Sequence, residues 1–203
     1  MLTLYDNPAS PFCRKVMILL HESGQLDDVT LTYAVGHPTA TDSQMPFAQN
    51  PLGKIPCLGR DDGPALYDSR VICRFLDARG KAGLYPQAQL WDVLTLEATA
   101  DGIMDASVLM VYEGRSRPED MRYAPWVEGQ WAKIARALDA IETRWMGHLS
   151  GPLHMGQIAV ACALGYLDFR HADRDWRKGH DALAAWYKGF SARDSMEATA
   201  PKA

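Results

Sequence analysis

The spacing of apolar residues changes along the chain, and this change constrains the fold more than any other feature. Over roughly the first eighty residues, short β-prone runs alternate with segments of helical spacing, whereas beyond residue 90 only helical spacing remains. A part with strands followed by a part without them predicts two domains in series. The segment between them, "GKAGLYPQAQ" at 80–89, is rich in glycine and proline and has no period, which is typical of a linker.

The first part, residues 1–79, has the pattern of an α/β domain. The runs "LTLY" and "VTLTYAV" flank the helical segment "PFCRKVMILLHESG", whose length suits a crossover between parallel strands. Val16, Leu19 and Leu20 stand at helical spacing in this segment, and Gly24 is its predicted C-terminal stop. "IPCLG" and "ALY" then flank the turn "RDDGP" and predict a hairpin. A final helical segment, "DSRVICRFLDARG", closes the domain. The predicted order is β-α-β, a loop or short helix, then β-β-α.

The second part, residues 90–203, is predicted to form an all-helical domain. Apolar residues recur three and four positions apart in four segments, which cover 90–112, 118–145, 158–169 and 180–190. The last thirteen residues, "SARDSMEATAPKA", are small and polar, and we expect this tail to fray.

Composition narrows the classes of partner. The chain has 203 residues, 47% of them apolar, which is enough for a substantial core. Its 21 basic and 25 acidic residues form no long run of one sign and no basic stripe, so nucleic acid is not an expected partner. The beginning of the chain has neither the pattern of a signal peptide nor an apolar run that could cross a bilayer. We therefore expect a soluble, cytoplasmic protein.

Four cysteines stand at unequal spacings and include no C-x-x-C pair. Neither a disulfide framework nor a zinc site is predicted. Cys57, Cys73 and Cys162 lie in apolar surroundings and are expected to be small buried residues of a protein in a reducing compartment. The six histidines show no metal-ligand spacing, so no metal is expected.

Three short motifs in the first part could bind a ligand. Ser10 before Pro11 is a good helix start, and a helix that begins after a strand can stabilise an anion at its N-terminus. Pro56 stands at a strand start, where it marks either an edge position or a cis bond. Asp68 and Ser69 precede the next helix as a further cap. Taken singly, each motif is explained by structure alone.

Together the motifs resemble those of the glutathione S-transferase family. "SPFCRKV", "NPLGKIPCL" and "DSRVICRFL" stand at the family's spacings, and the resemblance covers nearly the whole chain. The S-x-x-C-R pattern is similar to the theta-like serine type of bacterial members. The resemblance implies a thioredoxin-like β-α-β-α-β-β-α domain followed by an all-helical domain. Ser10 takes the place of the first thiol of a thioredoxin C-x-x-C pair, and Cys13 takes that of the second.

The resemblance also implies roles for individual residues. Ser10 is the catalytic residue and donates a hydrogen bond to the thiolate of glutathione, the co-substrate. The residues that would hold the tripeptide are Lys54, Ile55, Pro56, Asp68 and Ser69. The Ile55 backbone, directed by cis-Pro56, pairs with the cysteinyl unit, and Lys54 meets the glycine carboxylate. Asp68 meets the γ-glutamyl ammonium, and Ser69 meets its α-carboxylate; many relatives carry glutamate at the position of Asp68.

A second substrate, electrophilic and partly apolar, would lie against the first helix of the bundle. The candidates there are Met104, Ser107, Val108 and Val111. The same stripe is also what the core of a bundle requires. An acidic residue of this helix, Asp101 or alternatively Asp105, would reach the glutathione of the partner subunit in a homodimer.

Three functions are compatible with these residues. The leading one is transfer of glutathione to electrophilic carbon. The second is a glutathione-dependent thiol reductase that uses Cys13, and the third is a non-catalytic binding module on the same fold.

The family's capping box in the second domain is altered here. Relatives show Ser or Thr followed three residues later by Asp, whereas this chain has His154 and Gln157. Because histidine is a poor N-cap, His154→Ser is expected to stabilise the protein by about 1 kcal/mol.

Overall fold

The computed structural model of the chain describes residues 1–40 and 42–202 and consists of two compact units. Unit 1 contains Met1–Pro86 and the segment that begins at Asp194, and unit 2 contains Gln87–Arg193. The boundary after Pro86 falls within the segment predicted as a linker. None of the helices in the described part of the chain is both long and apolar enough to cross a membrane.

Unit 1 is built on a four-stranded sheet of order β2-β1-β3-β4. Its first elements are β1 (Leu2–Asp6), α1 (Pro11–Glu22), β2 (Val29–Tyr33), β3 (Cys57–Arg60), β4 (Gly63–Leu66) and α2 (Ser69–Gly80). β1 pairs in parallel with β2 and antiparallel with β3, and β3 pairs antiparallel with β4. A mixed sheet followed by a helical region confirms the predicted fold class.

The connection between β2 and β3 was predicted to be a loop or a short helix, and it is a loop. In its described residues, 34–40 and 42–56, the chain forms turns and no helix. The short helix at this place in the family's order is therefore not formed there. Pro38, Pro46 and Pro51 interrupt the segment, and a proline inside a helix removes a backbone donor and clashes with the preceding turn.

Helix α1 follows the predicted pattern closely. The side chains of Val16, Leu19 and Leu20, which define its apolar stripe, are fully buried. The helix ends just before Gly24, whose φ of +66° favours glycine, and the Gly24 N–H donates to the carbonyl of His21. Gly24 is thus confirmed as the stop signal.

Unit 2 contains five α-helices: α3 (Leu90–Ser116), α4 (Ala124–Arg144), α5 (Met146–Leu149), α6 (Met155–Arg170) and α7 (Asp181–Phe190). Every residue of α6 from Met155 to Leu167 is buried, and this helix packs against α3. α4 begins later than the periodicity predicts because Pro125 is tolerated only in the first turn of a helix.

The C-terminal segment differs from the frayed tail that its composition predicts. Residues Asp194–Ala198 form a short helix, α8, which packs on α1 within unit 1. The Arg14 guanidinium donates to the carbonyl of Met196 at 3.0 Å, and the Ser195 hydroxyl donates to Glu22. A five-residue helix is too short to show a period, so its sequence gives no helical signal.

The expectation that His154 is a poor cap is wrong. The imidazole Nδ1 accepts from the backbone N–H of Gln157 at 3.3 Å, and the Gln157 side chain accepts from the N–H of His154 at 2.9 Å. Nε2 lies 3.2 Å from the carbonyl of His148, to which it donates. A neutral imidazole whose other nitrogen donates offers one acceptor, which is what an N-cap needs. The capping box is therefore complete.

This geometry reverses the expected effect of His154→Ser. Serine keeps a capping oxygen but leaves a cavity and removes the donor to His148, so we expect a loss of about 1–2 kcal/mol in the free energy of unfolding. Burial lowers the pKa of His154 below its ordinary 6.5. The neutral ring therefore makes its whole contribution to stability above pH 6.5, and this contribution is lost as the pH falls from 6.5 toward the pKa of His154 in the folded protein.

Urea unfolding of His154→Ser and of the wild type on both sides of that pH measures both effects. His154→Asn is the control because it keeps an acceptor that does not titrate, and it should lose part of the acid sensitivity. A higher midpoint in His154→Ser would contradict this account of the cap.

Candidate functional site

The register of the sheet brings the three predicted motifs of unit 1 to one edge. β3 begins opposite Tyr5, near the end of β1, and β4 ends opposite Leu58, near the beginning of β3. Ser10, Pro56 and Asp68, which lie just outside these strand ends, therefore share the edge at which α1 and α2 both begin. Two helix N-termini at one edge produce a positive potential that suits an anionic ligand.

Ser10 is the N-cap of α1. Its backbone is extended (φ −89°, ψ 122°), and its Oγ accepts from the backbone N–H of Cys13 at 3.3 Å. Burial raises the pKa of the neighbouring Cys13 thiol, and a hydrogen bond with the Ser10 side chain lowers it in part. Ser10 is half-buried, so its hydroxyl can cap the helix and still donate to a ligand at the edge of the sheet.

The turn that carries Ser10 is fixed by Asn7, which the sequence analysis did not single out. The Asn7 amide donates to the carbonyl of Ala34 at 3.0 Å, and its Oδ1 accepts from the N–H of Ala9 at 2.9 Å. The Asn7 carbonyl also accepts from the N–H of Ser10 at 2.9 Å. Asparagine next to proline in a strand-to-helix turn is a signal for such local hydrogen bonds.

Cys13 lies one turn into α1 and is fully buried. Burial raises the pKa of its thiol well above the ordinary range, and the nearby Asp6 carboxylate raises it further. Thiol exchange requires an accessible thiolate. The thiol-reductase hypothesis, which requires an accessible Cys13 thiolate, therefore has no support in this arrangement.

We expect Cys13 to remain unmodified when the native protein is treated with a maleimide. All four cysteines are buried, so slow labelling should require local or global unfolding. Peptide mapping after short exposures, compared with the urea-unfolded protein as the positive control, identifies the modified thiols. Rapid modification of Cys13 in the native protein would restore the reductase reading.

The loop before β3 presents Ile55 through a cis Ile55-Pro56 bond, as the resemblance implied. Asn50, only 1% exposed, holds this loop, because its amide donates to the carbonyl of Lys54 at 2.8 Å and its Oδ1 accepts from the N–H of Leu52 at 3.0 Å. Ile55 is half-buried, whereas the side chain of Lys54 is exposed. The buried Asn50 was missed in the sequence, although an Asn-Pro pair is a turn signal.

Asp68 is the N-cap of α2. Its Oδ1 accepts from the backbone N–H of Arg70 at 3.1 Å, and its Oδ2 pairs with the Arg70 guanidinium at 2.9 Å. Burial alone would raise the pKa of Asp68, but the hydrogen bonds and charge of Arg70, with a contribution from Lys15, hold that pKa below its ordinary value. Ser69 is only 2% exposed, so it offers a ligand little of its hydroxyl.

Lys15 is the second residue of this site that sequence reasoning missed. Its side chain lies on α1 and is fully buried, and its charge acts on Asp68 at the beginning of α2. A lysine is rarely fully buried, and nothing in the local pattern distinguishes Lys15 from a surface residue. The cation adds to the positive potential behind the two helix N-termini.

Unit 2 places the candidates for the second substrate in two groups. Met104 and Ser107 are fully buried in the described structure, so they belong to the core and present no surface to a ligand. Val108 and Val111 are half-buried and keep part of their surface. The helical spacing of these residues in the sequence does not distinguish the buried group from the half-buried one, because α3 is apolar on more than one face.

Asp101, proposed from the resemblance, is 6% exposed, whereas Asp105 one turn later is exposed. No group of three or more histidine, cysteine or acidic residues in the described ranges is arranged to hold a metal ion.

Comparison with known proteins agrees with this arrangement. The family model for the N-terminal domain of glutathione S-transferase matches residues 9–79, and the model for the C-terminal domain matches residues 124–189. The uncharacterized GST-like protein YibF of Escherichia coli K12 is 33% identical over 210 residues, which cover 98% of each chain.

Two solved structures match over 100% of both chains. A glutathione transferase family member from Pseudomonas fluorescens Pf-5 with bound glutathione is 50% identical and superimposes with a TM-score of 0.96. A family member from the same organism with bound S-(propanoic acid)-glutathione is 49% identical, with a TM-score of 0.92. Since the family models match both domains in order and the 33% identical relative from Escherichia coli is covered over 98% of each chain, the chain belongs to the glutathione S-transferase family.

Proposed function

We propose that this chain is a glutathione transferase of the serine type, which conjugates the thiolate of glutathione to electrophilic, partly apolar small molecules. The observation that carries the proposal is the half-buried hydroxyl of Ser10 at the N-terminus of α1, on the sheet edge that Pro56 and Asp68 share. A role in detoxification and a cytoplasmic location are part of the proposal. Four buried cysteines, none of them in a disulfide bond, suit a reducing compartment.

The chemical task is to make a thiolate near neutral pH. An unperturbed thiol has a pKa of about 8.5, so a useful thiolate fraction requires a decrease of about two units, or about 2.7 kcal/mol. A hydrogen bond from Ser10 to the charged sulfur supplies about 1.5–3 kcal/mol, and the helix N-terminus adds about 0.3–1 kcal/mol. Ser10 itself stays protonated throughout.

The rest of unit 1 would hold the tripeptide. The half-buried Ile55, in a loop fixed by Asn50, would pair its backbone with the cysteinyl unit, and cis-Pro56 would set the direction. Asp68, kept ionised by its neighbours, would bind the γ-glutamyl ammonium. The exposed Lys54 would meet the glycine carboxylate. For the γ-glutamyl carboxylate, the backbone at Ser69 in the first turn of α2 is the better candidate because its hydroxyl is buried.

The relatives solved with glutathione and with S-(propanoic acid)-glutathione support glutathione as the co-substrate and a thioether as the product. The activity is tested by measuring the binding of glutathione by calorimetry and its conjugation to a chloronitrobenzene in the presence of the purified protein. Binding without conjugation to any of a panel of electrophiles would favour the non-catalytic module. No binding at all would overturn the proposal.

We also expect a homodimer, with the first domain of one subunit against the helical domain of the other. In that assembly an acidic residue of α3 would reach the partner's glutathione. Asp105 is better placed for this than Asp101 because it is exposed in the single chain. Light scattering at micromolar concentration checks the assembly, and a monomer would remove any role across subunits.

A further inference from the structure

Next to the turn that carries Ser10, unit 1 has a carboxylate that the proposed reaction does not use. Asp6 is the last residue of β1, four positions before Ser10, and it is half-buried. In the part of the chain that the structure describes, its Oδ1 is buried and has no hydrogen-bond partner. A carboxylate oxygen that is buried without a donor destabilises the charged form. Burial accordingly raises the pKa of Asp6, so this group takes up a proton more readily than an exposed aspartate does.

The thiol of Cys13 links Asp6 to Ser10 by side-chain hydrogen bonds. An ionised carboxylate can only accept, so the Cys13 thiol is the donor to Asp6. The Cys13 sulfur accepts from the Ser10 hydroxyl, a bond that lowers the pKa of the thiol. The backbone N–H of Asn7 donates to both the Asp6 carboxylate and the Cys13 sulfur. The side-chain donors therefore follow one another in a single direction, from Ser10 through Cys13 to Asp6.

The backbone holds these three side chains in place. Ser10 Oγ accepts from the N–H of Cys13 at 3.3 Å, and the Ser10 N–H donates to the carbonyl of Asn7 at 2.9 Å. The carbonyl of Asp6 accepts from the N–H of Ala34 at 2.9 Å, which anchors the end of β1. Cys13 is fully buried, so its sulfur is shielded from water. A proton that moves from Ser10 along this chain reaches Asp6 without passing through solvent.

We propose that Asp6 accepts the proton of the glutathione thiol through Ser10 and Cys13. The inference deepens the proposed function and rests on it. The glutathione thiol gives its proton to the Ser10 oxygen, the Ser10 hydroxyl gives its own proton to the Cys13 sulfur, and the Cys13 thiol gives its own to Asp6. The S–H bond of glutathione breaks, an O–H bond forms on Asp6, and Ser10 and Cys13 each end with one proton. Ser10 then donates the proton that it received back to the thiolate as a hydrogen bond.

The chemistry of each residue suits its step. Cys13 gains one proton as it loses another, so it never becomes a thiolate, which its burial would oppose. Asp6 becomes neutral as the negative charge appears on the glutathione sulfur, so the two charges do not repel each other. When the C–S bond forms and the thiolate charge disappears, Asp6 returns its proton to water. Asp6 and Cys13 do not touch the substrate and are positioning residues that act through Ser10.

The test compares the thiolate formed with the protons released when glutathione binds. Calorimetry in two buffers of different ionisation enthalpy counts the protons, and thiolate absorbance at the same neutral pH gives the thiolate. The wild type should release fewer than about half as many protons as it forms thiolates, because Asp6 keeps the rest. Asp6→Asn should release one proton for each thiolate. Asparagine keeps an oxygen that accepts from Cys13 and Asn7, so the turn should stay intact.

Two substitutions of Cys13 test the link independently, including the case in which Asp6→Asn impairs folding. Cys13→Ala removes the link, so the released protons should again equal the thiolate formed. Cys13→Ser keeps a group that both accepts and donates, so it should retain the wild-type difference. Asp27→Asn replaces an exposed aspartate of the same unit and is the matched control, which should behave as the wild type. S-methylglutathione has no thiol proton, and its binding gives the background proton exchange to subtract.

The outcomes separate this inference from the proposed function. Equal numbers of thiolates and released protons in the wild type would overturn the inference alone. So would an undiminished difference in Asp6→Asn or in Cys13→Ala. Failure of the wild type to bind glutathione, or binding without formation of a thiolate, would overturn the proposed function with it.

Discussion

Ser10→Ala is expected to raise the pKa of the thiol of bound glutathione by about one to two units, equivalent to the 1.5–3 kcal/mol of a hydrogen bond to a charged group. The reason is that the Ser10 hydroxyl, whose oxygen caps α1, can donate its proton to the sulfur of a bound thiolate. The thiolate fraction at neutral pH should fall roughly tenfold or more, and the conjugation rate should fall with it.

The affinity for glutathione itself should change little in this variant. Asp68, the Ile55 backbone and the N-terminus of α2 would still hold the tripeptide, and none of them depends on the hydroxyl. The pKa is measured by pH titration of thiolate absorbance in the glutathione complex, with conjugation rates measured alongside. A large change in affinity with an unchanged thiol pKa would assign Ser10 to binding rather than activation.

Helix capping must be separated from thiol activation because Ser10 can do both. Removal of an N-cap costs about 1 kcal/mol of stability but does not by itself move the pKa of a bound thiol. Ser10→Thr keeps the hydroxyl and serves as the control, with both a wild-type melting temperature and a low thiol pKa. If Ser10→Ala lowers only the melting temperature, Ser10 is a cap and another donor activates the sulfur.

The features of unit 1 that the sequence predicted are local. A cap, a stop residue and a stripe at helical spacing lie within a few residues of one another, so Ser10, Gly24 and the stripe of α1 were identified correctly. The meeting of the motifs at one edge of the sheet follows from the parallel crossover and the hairpin.

The features that were missed depend on residues distant in sequence. Asn50 is important because the loop folds around its side chain, and Lys15 is buried because α1 and α2 pack in unit 1. Helix α8 was missed for a related reason, since Arg14 stabilises it from 182 residues away. No periodicity encodes such contacts.

In unit 2, the sequence predicted the helices but not which of their faces are buried. Because α3 is apolar on more than one face, the spacing of its apolar residues predicts a helix but does not show which face packs against α6. The structure places Met104 and Ser107 in the core and leaves Val108 and Val111 partly exposed. His154 was misjudged because its capping ability depends on the carbonyl of His148, which fixes the tautomer.

Asp68→Asn should weaken the binding of glutathione by about tenfold to a hundredfold, the effect of losing a hydrogen bond between two charged groups. Asparagine is as good an N-cap as aspartate, so α2 should keep its beginning and the protein its melting temperature. The substitution therefore removes the charge of Asp68 and its exposed ion pair with Arg70, which contributes little to stability, and keeps the cap. The pKa of Asp68 lies below its ordinary value of 3.8, so the wild-type carboxylate stays ionised at every pH above that value. Glutathione binding through Asp68 should therefore not weaken anywhere in that pH range.

A glutathione analogue that lacks the α-amino group identifies the contact. The wild type should bind this analogue about tenfold or more weakly than glutathione, whereas Asp68→Asn should bind the two with equal affinity, because the ammonium then has no carboxylate to meet. Calorimetry on the four combinations gives the coupling between Asp68 and the amine directly. If the variant still prefers glutathione by the wild-type ratio, the ammonium binds elsewhere, and Asp68 acts only as the cap of α2 and the partner of Arg70.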